Sequence, residues 1–426
     1  MNKMQEVSTQ ENQFVAELKQ KSQAEPDLFP MIEKKSISLL LGSGFSVPQG
    51  YPTGNQLNEK LLNCIGDNFI FHTAGQLCTN EDGTKPNIGF KTPYDFYFDF
   101  CKDLIHYYND NIKDFDYEEF YDFYKNEAKK NSQLKEFFAK KNYGIGRVNF
   151  EDYLYQIDNI YNQLVEFYLK DRDGKTWYDD EPFYCKSIFY GYTGFLDCIE
   201  ALSKKYIINV HTLNHDLFFE RLNNTEWIKG ELCDGFEELG SPFYGELRRD
   251  GRTYKCRLSR YTGKYEKKIR LYKLHGSLDY FLYYKTVEKH TLVPDVHLKS
   301  RYGIGGIDLC KEIKDKKGNL IYEKCSTYHP DFLTGTTSKI LRYNNSLLYR
   351  GLFEFFKKNL NDSEMLIVIG YGCKDLEINN YILKEFGVKK PCFVVDPITD
   401  NTAKLGINST WINKQIANIQ LSDFKI

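Results

Sequence analysis

Four short segments hold the residues best suited to chemistry, and each directly follows an apolar run. The first is Thr212-Leu213-Asn214-His215-Asp216. Asn214 carries both a donor and an acceptor, and Asp216 accepts when ionised. Such a pair can orient a carboxamide or a water molecule; it can equally cap the short helix that LFFERL would begin. The second is Lys273-Leu274-His275-Gly276-Ser277. An imidazole at a strand end, with an ordinary pKa of about 6.5, suits general-base work, and a lone histidine also serves as a plain structural group. The third is Gly42-Ser43-Gly44-Phe45-Ser46. Its glycines allow a tight turn and close backbone approach to an anion, with N–H groups and a helix dipole to hold a diphosphate. Val47 stands where GxGxxG has its third glycine, so the dehydrogenase fingerprint is not met. The fourth is Gly370-Tyr371-Gly372-Cys373-Lys374-Asp375, with Asp396-Pro397 beyond it. An acidic residue ending a late strand can accept from ribose hydroxyls, or simply punctuate a loop.

The elements behind these segments are alike. Ser36–Leu41 is a short apolar run that stops at Gly42, as expected of a strand buried on both faces of a parallel sheet. Tyr206–His211, Ile269–Leu274, Met365–Ile369 and Cys392–Val395 have the same character. Thr53 and Gln56 have capping-box spacing, and helical patterns cover Ser338–Leu360 and Leu376–Phe386. Strands alternating with helices predict the α/β class, a Rossmann-like, mostly parallel sheet with ligands at its C-terminal strand ends. Residues 1–35 read as a polar helical arm. Residues 67–199 read as a large helical insertion, in which Leu154, Ile157, Tyr161, Leu164 and Tyr168 form a seam with Asn149 as N-cap. That insertion can pack on itself or serve self-association. Residues 236–268 and 284–330 read as loop or hairpin insertions.

Composition narrows the function classes. The chain has 426 residues, room for one large domain or two to three ordinary ones. Lys+Arg number 57 against 59 Asp+Glu, a net charge of −2, which argues against a general nucleic-acid binder. No run approaches a membrane span, and the first residues show no signal pattern, so an intracellular, cytoplasmic protein is expected. The 11 cysteines stand singly, with no CxxC pair, as reduced buried thiols would, and no metal site is expected. With 33 Tyr and 31 Phe, most aromatics must lie in cores or interfaces.

Taken together, the order GSGFS, TLNHD, KLHGS, GYGCKD, VVDP resembles the sirtuin family. It is most similar to the sirtuin-like NAD hydrolases of bacterial antiviral defence. The resemblance spans about 120 residues of core, by rough count, spread between 36 and 400. It implies that Gly42, Gly44 and Ser46 hold the NAD diphosphate. It implies that Asn214 and Asp216 attend the nicotinamide ribose and carboxamide, that Thr212 also belongs to the NAD site, that His275 is the base, and that Gly370, Gly372 and Asp396 lie near the adenosine half. Deacylating sirtuins carry a four-cysteine zinc module after the HG segment. Here only Cys310 and Cys325 fall there, Leu213 replaces a glutamine, and VPQGYPTGN lacks the Pro-Asp-Phe-Arg run. These departures weigh against deacylation, and no zinc is expected. The expectation is therefore an NAD-cleaving effector that depletes host NAD, homo-oligomeric, with an activating partner such as a helicase-like ATPase or a phage component. It would bind neither membrane nor nucleic acid. The alternatives are an NAD-dependent protein deacylase and a non-catalytic NAD or ADP-ribose sensor.

Overall fold

The computed structural model describes residues 35–64, 69–78, 91–141, 143, 149–169, 191–287, 291–301, 303–324, 329–332 and 347–425. Residues 1–34 of the expected helical arm lie outside the described residues. Seven strands make the central sheet: Ser36–Leu41 (β1), Ile207–Thr212 (β2), Leu232–Cys233 (β3), Ile269–Lys273 (β4), Ser363–Ile369 (β5), Cys392–Val395 (β6) and Ser409–Ile412 (β7). Their order is β7-β6-β5-β1-β2-β4-β3, and every neighbouring pair is parallel. The α/β, Rossmann-like parallel sheet expected from the sequence is therefore present.

Burial explains the apolar runs. Ile37, Leu39 and Leu41 pack on one face against Phe195, Leu196 and Ile199 of the helix Thr193–Ser203. Leu40, Leu366 and Val368 pack on the other face against Leu348, Leu352 and Phe356 of the helix Leu347–Asp362. Side chains alternate across a strand, so a sheet covered on both faces needs uninterrupted apolar sequence. The expected strand at Tyr206–His211 lies one residue later, at Ile207–Thr212. Of the expected helix Ser338–Leu360, the part before Leu347 falls outside the described residues. The pattern at Leu376–Phe386 divides into an α-helix, Leu376–Tyr381, and a wider turn, Ile382–Phe386.

Two further cores flank the sheet. The helices Pro93–Asn111, Tyr117–Asp122, Ser132–Ala139 and Phe150–Tyr168 enclose an aromatic cluster that includes Phe98, Phe100, Tyr108, Phe120 and Tyr161. Asn149 caps the last of these helices by accepting from the Asp152 amide at 2.8 Å. The strands Gly235–Glu237, Ser259–Lys264, Tyr280–Val287, Thr291–Lys299, Glu312–Lys314 and Leu320–Lys324 form one six-stranded antiparallel sheet. Among the described residues no helix is long and apolar enough to cross a membrane.

What this architecture does for the site is set its level. Ile412, Val395, Ile369, Leu41, Thr212 and Lys273 lie side by side in register. At roughly 4.8 Å between strands, the five ends from Val395 to Lys273 span about 19 Å. The chain proceeds from β1 to β2 on one side and later returns to β5 on the other. The strand order thus reverses beside β1, which is where open α/β sheets bind ligands. The end of β5 is tightly constrained. Gly370 has φ +62°, and a Cβ there would lie 2.4 Å from the Phe45 nitrogen, whereas a Cβ on Gly372 meets nothing within 4 Å. Gly370→Ala should therefore destabilise the fold by about 2 kcal/mol or more. Gly372→Ala should stay within about 0.5 kcal/mol. Equilibrium denaturation of the two variants measures the difference.

Candidate active site

The glycine turn after β1 is held by its neighbour. The Gly42 amide donates to the Ile369 carbonyl and the Gly44 amide to the Gly370 carbonyl, each at 3.0 Å. The Phe45 and Ser46 amides donate to the Gly42 and Ser43 carbonyls. Four of the five amides in Gly42–Ser46 are thus engaged within the protein. The turn itself is 3₁₀ over Ser43–Phe45, a second 3₁₀ turn follows at Val47–Gln49, and the α-helix begins at Gly54. The helix expected from the Thr53 and Gln56 spacing is present with that capping box, and its N-terminus lies beyond the glycines. What the glycines secure is contact: a Cβ on Gly42 would meet the Gly370 oxygen at 2.5 Å, and one on Gly44 the Gly370 Cα at 2.8 Å.

From β2 comes the amide. Asn214 Nδ2 donates to the Gly42 carbonyl at 3.0 Å and to Ser46 Oγ at 3.1 Å. Its own backbone amide donates to Thr212 Oγ1 at 3.1 Å. Both N–H donors of the side chain are spent on fixing its plane, so what it can offer a ligand is its Oδ1, an acceptor. Ser46 is 1% exposed and also bonds the Asp216 carboxylate. Asp216 accepts from the Phe218 amide at 2.9 Å, which is a helix-start contact. Ser46, Thr212 and Asp216 therefore stand behind Asn214 and hold it.

His275 follows β4. Thr212 and Lys273 are register partners, and Asn214 and His275 each lie two residues beyond them. The amide and the imidazole thus leave adjacent strands at the same level. His275 is 5% exposed, nearly buried rather than open to a crevice as the sequence suggested, because Gly276 bridges Phe332 directly beside it. Its Nε2 lies 3.5 Å from Asp375 Oδ2, while Asp375 Oδ1 caps the helix Leu376–Tyr381. Asp375 links the loop after β5 to the loop after β4. Nothing in its own segment marks this role, which only its partner across the sheet reveals. The His215 ring, 6.3 Å from that of His275, is a second neighbour without an assigned role.

Two further expected ligand-binding residues follow β5 and β6. Gly372 is exposed, with open space about it. Asp396 directly follows β6, and its Oδ1 accepts from the Ile398 and Thr399 amides at 2.8 Å, closing its own turn. Among the described residues no group of three His, Cys, Asp or Glu could hold a metal.

Beneath the two loops lies a cluster of charge. Lys273, 1% exposed, donates to the His215 carbonyl at 3.3 Å and to the Asp216 carbonyl, and pairs with Glu220 at 3.2 Å. Lys299 pairs with Asp234 at 2.5 Å, with Asp279 at 3.5 Å and with Glu220 at 3.8 Å. Burial alone would lower the Lys299 pKa, but these three carboxylates hold it above the usual range. Burial pushes the Asp279 carboxyl up, with Lys299 opposing. The cluster ties both chemistry-bearing loops to the antiparallel sheet. Replacing only one member of a buried ion pair leaves the other charge stranded.

No family model matches the chain, and no curated protein matches it. Among solved structures, a Sir2 homolog–NAD complex is similar at 10% identity, covering 92% of this chain and 89% of that one, with a TM-score of 0.33. A structure addressing the mechanism and regulation of Sir2 enzymes is similar at 11% identity over 92% of each chain, with a TM-score of 0.32. A Sir2 bound to an acetylated peptide is similar at 9% identity over 90% of each chain, with a TM-score of 0.31. The fold class rests on this chain's own strand order and register.

Two outcomes follow from the site. Lys273→Met should destabilise the protein by about 3 kcal/mol in denaturant titrations, because it leaves Glu220 only its more distant partner, Lys299, and frees two carbonyls of the Asn214 loop. The second concerns pH. Burial raises the Asp216 carboxyl above its ordinary value of 3.8, against the lowering effect of Lys273. The folded state therefore binds this proton more tightly than the unfolded chain. The resulting stability is full below the unfolded value and is lost as pH rises through the folded one. Asp216→Asn should flatten that part of the stability–pH curve.

Proposed function

We propose that the chain cleaves the nicotinamide–ribose bond of NAD, releasing nicotinamide and ADP-ribose or its cyclic form. One observation carries the reading. Asn214 and His275, far apart in sequence, leave adjacent parallel strands at the same register, beside the point where the strand order reverses. The dinucleotide would lie along the row of strand ends, with the nicotinamide ribose over β2 and β4 and the adenosine half toward β5 and β6.

The chemistry asked of the protein is modest. Breaking the C1′–N bond passes through an oxocarbenium-like state. The bond's electron pair leaves with the pyridinium, which becomes neutral nicotinamide. Asn214 Oδ1 orients a water or a ribose hydroxyl toward C1′. His275 accepts its proton as the new C–O bond forms, a contribution of about 10²–10⁴ in rate. Asp375, 3.5 Å from His275 Nε2, favours the imidazolium that results. The motif order supports extending the reading to an antiviral effector that exhausts host NAD, cytoplasmic and homo-oligomeric, controlled by a partner such as a helicase-like ATPase or a phage component.

The test is nicotinamide release from NAD by the full-length protein, alone and with the products of neighbouring genes. Asn214→Ala and His275→Ala should each lose at least about 100-fold. Full release by both variants would overturn the assignment. Release that needs an acetylated peptide would favour a deacylase instead, and tight NAD binding without turnover would favour a sensor.

A further inference from the structure

Between the short strand Gly235–Glu237 and β4 the sequence turns strongly basic. Residues 244–268 contain nine Lys and Arg against three Asp and Glu, in a chain whose totals are 57 and 59. The first half of this segment folds as a two-stranded antiparallel ribbon, Tyr244–Arg249 with Arg252–Arg257. Asp250 at φ 50° and Gly251 at φ 70° form the two-residue turn, the mirror-image geometry that suits a twisted hairpin. Each strand has six residues, so the ribbon is about 20 Å long. Every residue from Arg252 to Lys255, together with Arg257, is exposed, as are Arg248 and Arg249.

We propose that this ribbon binds the phosphate backbone of a nucleic acid. Three observations carry it. First, its cations are mostly arginine. Arg248, Arg249, Arg252 and Arg257 join Lys255, and the guanidinium fork matches phosphate in bidentate fashion. Second, Arg249 and Arg252 face each other directly across the tip. Like charges at such a pair are destabilising, and the nearby Asp250 carboxylate stands 4.0 Å from Arg249 Nε. An anion lying across the tip removes that repulsion. Third, the ribbon itself exposes almost no apolar side chain. Tyr254, 45% exposed, is the one large apolar side chain that is exposed on the ribbon, and Leu247 opposite it is half-buried. A protein partner's interface core is depleted in charge and rich in apolar contact. A phosphate backbone needs neither, and a flat ring such as Tyr254 can stack on an unpaired base. A two-stranded ribbon also has the width to enter a major groove.

Carboxylates stand beside some of these cations. Glu246 lies across from Lys255 in register, and Arg248 is 3.9 Å from both Glu246 and Asp308. Arg257 stacks on Tyr244 and bonds its hydroxyl at 3.0 Å, which holds the guanidinium in place without cancelling its charge.

Fluorescence anisotropy with a labelled 20-base-pair DNA duplex and a labelled single strand of 20 nucleotides tests this on the full chain, in the absence of NAD. The wild type should bind at least one of them, with log K falling linearly against log salt at roughly 0.9 per phosphate contact for the duplex. The combined Arg248→Glu, Arg249→Glu, Arg252→Glu and Lys255→Glu variant should bind at least 30-fold more weakly. Lys204→Glu with Lys205→Glu, exposed cations elsewhere, should bind as the wild type does. Matching thermal unfolding curves establish that the variants are folded, and Arg252→Gln alone, expected to weaken binding about 3-fold, avoids charge reversal. Binding of neither nucleic acid, or unchanged binding by the fourfold variant, overturns the proposal. So does equal competition by polyglutamate at the same charge concentration, which would make the ribbon a site for acidic protein. Duplex preference over the single strand identifies groove entry, and the reverse identifies base stacking on Tyr254. Because the assay involves no NAD cleavage, its failure and the failure of the catalytic reading are separate.

Discussion

The site is indexed to one backbone contact. Gly44 donates to the Gly370 carbonyl, and the two turns touch so closely that neither glycine has room for a side chain. This contact joins the two halves of a sheet whose strand order reverses at that point. Asn214 is anchored on the Gly42 carbonyl, Ser46 on Asn214, and Asp216 on Ser46. Across the sheet, the loop that begins at Gly370 reaches Asp375, and Asp375 reaches His275. Each chemical group therefore inherits its position from a pair of glycines that do no chemistry themselves. Parallel pairing supplies the remaining constraint, since level strand ends put successive loops within reach of one ligand.

The central sheet was legible because a strand buried on both faces must be apolar along its whole length. Five such runs stood out, and all five are strands within a residue or two. β3 and β7 were missed: one has two residues and the other four, including Ser409 and Thr410, too short and too polar to show a period. The six-stranded antiparallel sheet escaped for another reason. Hairpins were among the expectations for its two segments, but these are separated by β4, and the pairing of Thr291–Lys299 with Ser259–Lys264 that joins them leaves no mark in either one alone.

At the site, loop chemistry was visible but its direction was not. Asn214 could be recognised as a side chain with two donors and an acceptor. Which of these would be consumed internally depends on Gly42 and Ser46, more than 160 positions away in sequence. The burial of His275, the approach of Asp375 and the ion cluster around Lys273 and Lys299 are products of assembly, each needing at least two elements from distant parts of the chain. Net charge is coarse in a different way. A sum near zero describes the average surface, and here a strongly basic ribbon is balanced by acidic residues distributed elsewhere.

The anchoring of Asn214 makes this position discriminate between atoms of nearly equal size. An aspartate has the same shape, yet it would set a second acceptor against the Gly42 carbonyl, where the amide now donates. Oxygen would face oxygen at 3.0 Å, and the side chain would have to rotate out of its plane or take up a proton to stay. A change of one mass unit, which leaves the outline of the residue intact, would thus undo the anchor that fixes the loop after β2.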